Sequence, residues 1–177
     1  MPELPEVETV RRGLAAAMEG QLIVDVVVRR RDLRFPLHEN FAAALIGRTV
    51  TFIGRRAKYL LVRLDDGTVV IVHLGMSGRM VIEQMGTNTA LRPTHYRKNV
   101  GGKHEHVVFT MGDGTKVRYS DPRRFGLMEL ATEATIISHA LLASIGPEPL
   151  DSEFDGLALG RRLAGKKTPI KSIYFFF

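Results

Sequence analysis

The sequence predicts a mainly β fold with flanking helices: an antiparallel β-sandwich of about eight strands with a long N-terminal helix. Three observations carry this. Short β-branched runs recur along the chain, and turns rather than helices separate most of them. Two of those turns, Asp66-Gly67 and Gly112-Asp113-Gly114, are hairpin signals between apolar runs. Ahead of them, Val7, Val10, Leu14 and Met18 recur at helical spacing.

The helix should run over residues 5–18, with Gly20 placed to end it and Arg11 and Arg12 off the apolar stripe. Residues 22–28 read as a strand that leads into Arg29, Arg30, Arg31 and Arg34, a basic edge that blunts strand pairing. Residues 41–46 read as a short helix closed by Gly47. Residues 49–54 form the next strand, followed by Arg55-Arg56-Ala57-Lys58. Residues 59–64 and 68–74 flank the first hairpin turn. Val69 to Val72 are apolar at every position, so this hairpin should be buried on both faces.

Gly75-Met76-Ser77-Gly78 is a tight loop before a strand at 79–83. Residues 85–103 are polar and read as a long mobile loop. Strands at 107–111 and 115–119 flank the second hairpin. Asp121-Pro122-Arg123-Arg124-Phe125-Gly126 is a compact loop, and 127–130 returns as a strand. After Ala131 the pattern changes. Three segments result: a β-sandwich domain with its helix over 1–131, a helical extension over 132–165, and a linker start over 166–177. The extension should hold helices at 135–144 and 154–163. In the last segment Thr168 can cap a helix beginning at Pro169.

Composition bounds the function. A chain of 177 residues with 45% apolar content builds one domain with an appendage. Net charge is +6 and the pI about 9.9, which favours an anionic partner, nucleic acid first and an acidic membrane surface second. The absence of cysteine excludes disulfides and thiolate metal sites. No apolar run is long enough to span a bilayer, and no signal peptide opens the sequence. The expected location is the cytoplasm, or the nucleoid if DNA is the partner.

Candidate chemistry starts at Pro2. Its small side chain favours removal of Met1, which leaves a free secondary amine next to Glu3, with Glu6 three residues on. An amine can attack an electrophilic carbon and form an imine while a carboxylate moves protons. The same residues also make an ordinary helix start. Lys58 is either an edge lysine with its stem packed on apolar surface or a cation that grips an anionic group. His73 is either a satisfied core histidine or a functional one. His95, His104 and His106 with Glu105 suggest a metal, but their spacing matches no closed site. Met76 and Phe125 each sit on a turn, with Arg123 and Arg124 beside Phe125. They are either core plugs or wedges that unstack a base.

Several motifs occur together in order: PELPEVETVRRGL from Pro2, RRAKYLL from Arg55, HLGMSG from His73, DPRRFG from Asp121, GPEPL from Gly146 and KKTPIK from Lys166. With them the chain resembles the bacterial formamidopyrimidine-DNA glycosylase family, which excises oxidised purines. The resemblance runs from Pro2 to about Lys171. It implies that Pro2 is the nucleophile at C1′ of the damaged nucleoside and Glu3 the acid/base group. Glu6 would support the site electrostatically. Lys58 would contact the phosphate beside the lesion, and His73 a neighbouring phosphate. Met76, Arg123 and Phe125 would fill the duplex as the base flips out, with Arg124 among the DNA contacts. The implied partner is double-stranded DNA with oxidised purines or abasic sites, bound by a monomer.

In this family the chain continues into a helix–two-turn–helix module and a four-cysteine zinc finger. Here it ends Ile173-Tyr174-Phe175-Phe176-Phe177 without a cysteine, so it resembles a truncated member with no cofactor of its own. The first hypothesis is therefore a bifunctional glycosylase/AP lyase. The second is an inactive remnant that binds nucleic acid weakly. The third is a basic β domain in which Pro2 only starts a helix.

Overall fold

The computed structural model describes residues 2–84, 87–91, 102–148, 155–165 and 167, with the backbone alone at 87–91, 158 and 162. The chain divides into two compact units, one ending at Ile136 and one beginning at Ile137.

In the first unit, α1 (Leu4–Met18) carries the apolar stripe inward. Val7, Val10, Leu14 and Met18 are all buried. Glu19 closes the helix, its N–H reaching the Ala15 carbonyl at 3.1 Å, and Gly20 follows at φ +77, where a side chain would be strained. After β1 (Ile23–Val28) and α2 (Phe41–Leu45) come β2 (Val50–Arg56), β3 (Tyr59–Leu64), β4 (Thr68–His73), β5 (Arg79–Gln84), β6 (Thr87–Leu91), β7 (Glu105–Met111), β8 (Lys116–Ser120) and β9 (Leu127–Thr132).

The strands form two antiparallel sheets, ordered β1-β7-β8-β5-β6 and β2-β3-β4-β9. One apolar cluster takes side chains from both sheets and from α1 and α2: Ile53, Leu60, Val70 and Val72 from one sheet, Phe109, Met111 and Val117 from the other, and Phe41 and Leu45 from α2. That is the expected sandwich. Each fully buried aliphatic side chain contributes about 1.5–3 kcal/mol. The β3–β4 hairpin is buried on both faces as expected. Val70 and Val72 join the central cluster, while Val69 and Ile71 are buried outside it.

Two local expectations need correction. Nine strands are described rather than about eight, because Thr87–Leu91 forms β6 inside the stretch read as loop 85–103. Its Thr-Asn-Thr-Ala-Leu run has little apolar alternation, and backbone pairing to β5 supplies the order instead. Residues 92–101 of that stretch lie outside the described residues. The helix expected at 135–144 is a run of turns. The Thr135 hydroxyl accepts the Thr132 N–H at 3.2 Å, and His139 Nδ1 accepts the Leu141 N–H at 3.3 Å, so side chains compete for the bonds a helix would use.

In the second unit α3 covers Gly156–Leu163, matching the end of the expected helix. The cap at Thr168, the helix start at Pro169 and the terminal phenylalanines lie outside the described residues. No described helix is long and apolar enough to cross a membrane.

Candidate active site

The first turn of α1 holds the N-terminal residues in one conformation. Glu3 is the N-cap, in extended geometry, and its carbonyl accepts the Val7 N–H at 3.0 Å. The Glu6 carboxylate reaches back to accept the Glu3 N–H at 2.7 Å. The stretch starts a helix, and that helix start sets where Pro2 and Glu3 stand. Glu6 thereby fixes the backbone of Glu3.

Lys58 comes to this place from β2 and β3. Arg56 pairs with Tyr59, which leaves Ala57 and Lys58 as a two-residue hairpin turn. Ala57 sits at φ +47, a region that costs a residue with a Cβ about 1–2 kcal/mol. The turn is braced from behind. Arg55 donates to the Ala57 carbonyl at 2.8 Å and pairs with Glu8 of α1 at 3.2 Å. Glu8 also binds Arg11 and Arg12, and these pairs, Arg11 first, hold its carboxyl down to about 2. The result places the Lys58 Nζ 3.1 Å from the Glu3 carboxylate.

His73 ends β4 opposite Tyr59, with ring centroids 4.8 Å apart. Its Nδ1 accepts the Gly75 N–H at 3.0 Å, which leaves Nε2 as the N–H of the neutral ring. Burial, and then the charges of Arg34 and Lys58, push its pKa below the ordinary value.

The two turns after β4 and β8 meet backbone to backbone. A Cβ on Gly75 would lie 2.5 Å from the Gly126 nitrogen, and one on Gly126 would lie 1.8 Å from the Tyr119 hydroxyl. Only glycine fits at either position. Met76 and Phe125 are each 45% exposed, so neither is a core plug. Arg123 lies over the Phe125 ring, 4.7 Å from its centroid. Arg124, at φ +58, instead ion-pairs with Asp32, which Arg30 also grips through two hydrogen bonds.

The structure thus joins Glu6 to Glu3 and Glu3 to Lys58, and separately stacks Arg123 on Phe125, while the exposed Arg124 pairs with Asp32. Sequence reasoning missed Glu8, Arg55, Ser77 and Asp121. Glu8 and Arg55 stand far apart in the chain, and neither signals the other. Asp121 had one signal, an acidic residue before a proline in a turn.

The histidine group considered for a metal divides. Glu105 pairs with Arg118 and Arg29, and His106 Nε2 donates to the Asp121 carbonyl at 2.7 Å. His95 lies outside the described residues. Among the described residues no group of three or more His, Asp or Glu side chains could hold a metal ion.

The sequence profile of the formamidopyrimidine-DNA glycosylase N-terminal domain matches residues 1–128. A formamidopyrimidine-DNA glycosylase of Methylocella silvestris is 52% identical over 173 residues, covering 97% of this chain and 59% of the relative. One from Sinorhizobium fredii is 49% identical over 175 residues with the same coverage. Among solved structures, Lactococcus lactis formamidopyrimidine-DNA glycosylase bound non-covalently to DNA with an abasic site superposes with a TM-score of 0.81 at 29% identity, covering 98% of this chain and 62% of that one. A complex of the inhibited Lactococcus enzyme with DNA containing an N7-benzyl formamidopyrimidine gives 0.80 at 30% identity, with 98% and 60% covered. This chain therefore spans about three fifths of the length of the relatives it matches. Over that span, the N-terminal helix, the sandwich and the paired turns follow one pattern: the chain belongs to the formamidopyrimidine-DNA glycosylase family.

Proposed function

We propose that the chain acts as a DNA glycosylase and abasic-site lyase on oxidised purines such as formamidopyrimidine and 8-oxoguanine. The Glu3–Lys58 pair at the N-terminal end of α1 carries this reading, and the exposed turn residues Met76 and Phe125 support it.

The pair is suited to being opened. Glu3 is 65% exposed, and a solvated ion pair of this kind contributes at most about 1 kcal/mol. An arriving phosphate can take Lys58 at little cost, which frees the Glu3 carboxyl for the sugar. After removal of Met1, the Pro2 amine attacks C1′. The bond from C1′ to the base breaks, and the base leaves with the electron pair and a proton. Glu3 protonates the ring oxygen as the C1′–O4′ bond opens and an iminium forms. That iminium withdraws electrons from C2′, so loss of its proton breaks the C3′–O3′ bond, and a further elimination breaks the C5′–O5′ bond.

The target atom is out of reach inside a base stack, so the base must leave and its space must be filled. Met76 and Phe125 can enter the stack, and Arg123 can face the base left unpaired. The neutral His73 can donate Nε2–H to a phosphate, and the basic surface adds the general affinity expected for double-stranded DNA. One chain carries nucleophile, carboxylate and wedges, so a monomer suffices, and its place in the cell is with the nucleoid.

Release of the base from duplexes with 8-oxoguanine or formamidopyrimidine, followed by chromatography, tests the reading. It expects release that falls at least 100-fold in Glu3→Gln. A chain shown to be folded by circular dichroism that releases no base and cleaves no abasic strand overturns it.

A further inference from the structure

We propose that the buried Asp121 side chain is a positioning residue that locks the two turns into one rigid insertion unit, so that Met76, Arg123 and Phe125 enter a duplex together. The proposal deepens the DNA reading above and rests on it.

Asp121 is fully buried, yet its carboxylate meets a complete set of donors. One oxygen accepts the Ser77 hydroxyl of the first turn and the Arg123 N–H at 3.2 Å. The other accepts the Gly126 N–H at 2.8 Å and the Tyr119 hydroxyl at 3.2 Å. Burial, and then the Asp121 charge, push the Tyr119 phenol well above its ordinary pKa, so it remains a donor. The Asp121 main chain is held as well, its N–H by the His104 carbonyl at 3.0 Å and its carbonyl by His106 Nε2 at 2.7 Å. The Ser77 oxygen accepts the Arg123 N–H at 3.2 Å, so the link between turns closes in both directions.

Each wedge residue lies within two positions of a hub contact. Met76 precedes Ser77, Arg123 donates to the hub itself, and Phe125 precedes Gly126. Their side chains stay exposed while their backbones are fixed. A loose wedge would lose conformational freedom on entering the stack, and that loss opposes insertion. A hub that has ordered both turns in advance removes that cost from the insertion step.

Ser77→Ala breaks the link between turns and leaves Asp121 its other three donors. Three measurements on the full chain read the result. In amide hydrogen exchange without DNA, Ser77→Ala is expected to speed the Gly126 amide of the opposite turn at least 10-fold, and Ser77→Thr, which keeps the hydroxyl, to restore it. With 2-aminopurine next to an abasic site, the fluorescence rise on wedge insertion should slow about 10-fold in Ser77→Ala and recover in Ser77→Thr. Borohydride trapping on single-stranded abasic DNA, where there is no stack to enter, should fall less than threefold. Unchanged Gly126 exchange in Ser77→Ala overturns the coupling of the turns. Coupled exchange with unchanged insertion overturns the role in DNA entry. A parent chain that shows no insertion at all refutes the DNA reading, and the exchange measurement still decides the coupling.

Discussion

Substitution of Glu8 by Gln tests the brace that places Lys58. Glu8 accepts from Arg11 at 2.9 and 3.0 Å, from Arg12 at 3.0 Å and from Arg55 at 3.2 Å. These contacts, Arg11 first, hold its carboxyl at about 2 rather than 4.5. That difference corresponds to at most about 3 kcal/mol. The side chain is 26% exposed, and solvent screening brings the expected contribution to about 1–2 kcal/mol. The folded-state pKa is depressed, so this stability is fully present above about pH 4.5 and is lost as the pH falls towards 2. Glu8→Gln should therefore melt about 2–8 °C lower than the parent at neutral pH, and its stability should fall less steeply on acidification. Urea unfolding at a series of pH values between about 6 and 2 reads both quantities, the two proteins converging at the acid end. Equal stability at neutral pH with parallel acid limbs would refute the reasoning, because the Arg11–Glu8–Arg55 network would then contribute nothing.

Other perturbations have equally direct outcomes. Gly126→Ala places a Cβ 1.8 Å from the Tyr119 hydroxyl and 2.8 Å from the His73 carbonyl, and should destabilise the chain by about 2–4 kcal/mol in denaturant melts. Leu14→Ala leaves a hole under α1 and should cost about 2–5 kcal/mol by the same measurement. The depressed His73 pKa means that the unfolded chain takes up a proton more readily than the folded one, so stability declines as pH drops below about 6.5. His73→Gln should remove that part of the decline, which a melting series across pH 5–7 reads directly.

The parts of the fold readable from the sequence are those written in local pattern. The Val7–Val10–Leu14–Met18 stripe marks α1 because helical period and burial coincide. Asp66-Gly67 marks its hairpin because Gly67 takes φ +83. β6 escapes notice because its order comes from a partner strand rather than from its own residues. The turns at 135–144 replace a helix because Thr135 and His139 side chains bind nearby N–H groups. The same division holds at the site. Pro2, Glu3, Lys58 and the turn residues stand in compact motifs and can be singled out one by one. Ala57 has no signature of its positive φ, and the Glu8–Arg55 and Ser77–Asp121 links join residues distant in sequence, so only the folded chain reveals them.

The central claim is that the amine of Pro2, aimed by α1 and attended by Glu3 and Lys58, forms the covalent intermediate. Borohydride reduction on duplex DNA with an abasic site, followed by peptide mass mapping of the trapped protein, tests it most directly. The account predicts one adduct on the Pro2 nitrogen of a chain that lacks Met1, and its loss in Pro2→Gly or when Met1 is retained. A folded chain that traps no DNA, or one whose adduct maps to a lysine such as Lys58 and survives Pro2→Gly, would contradict it.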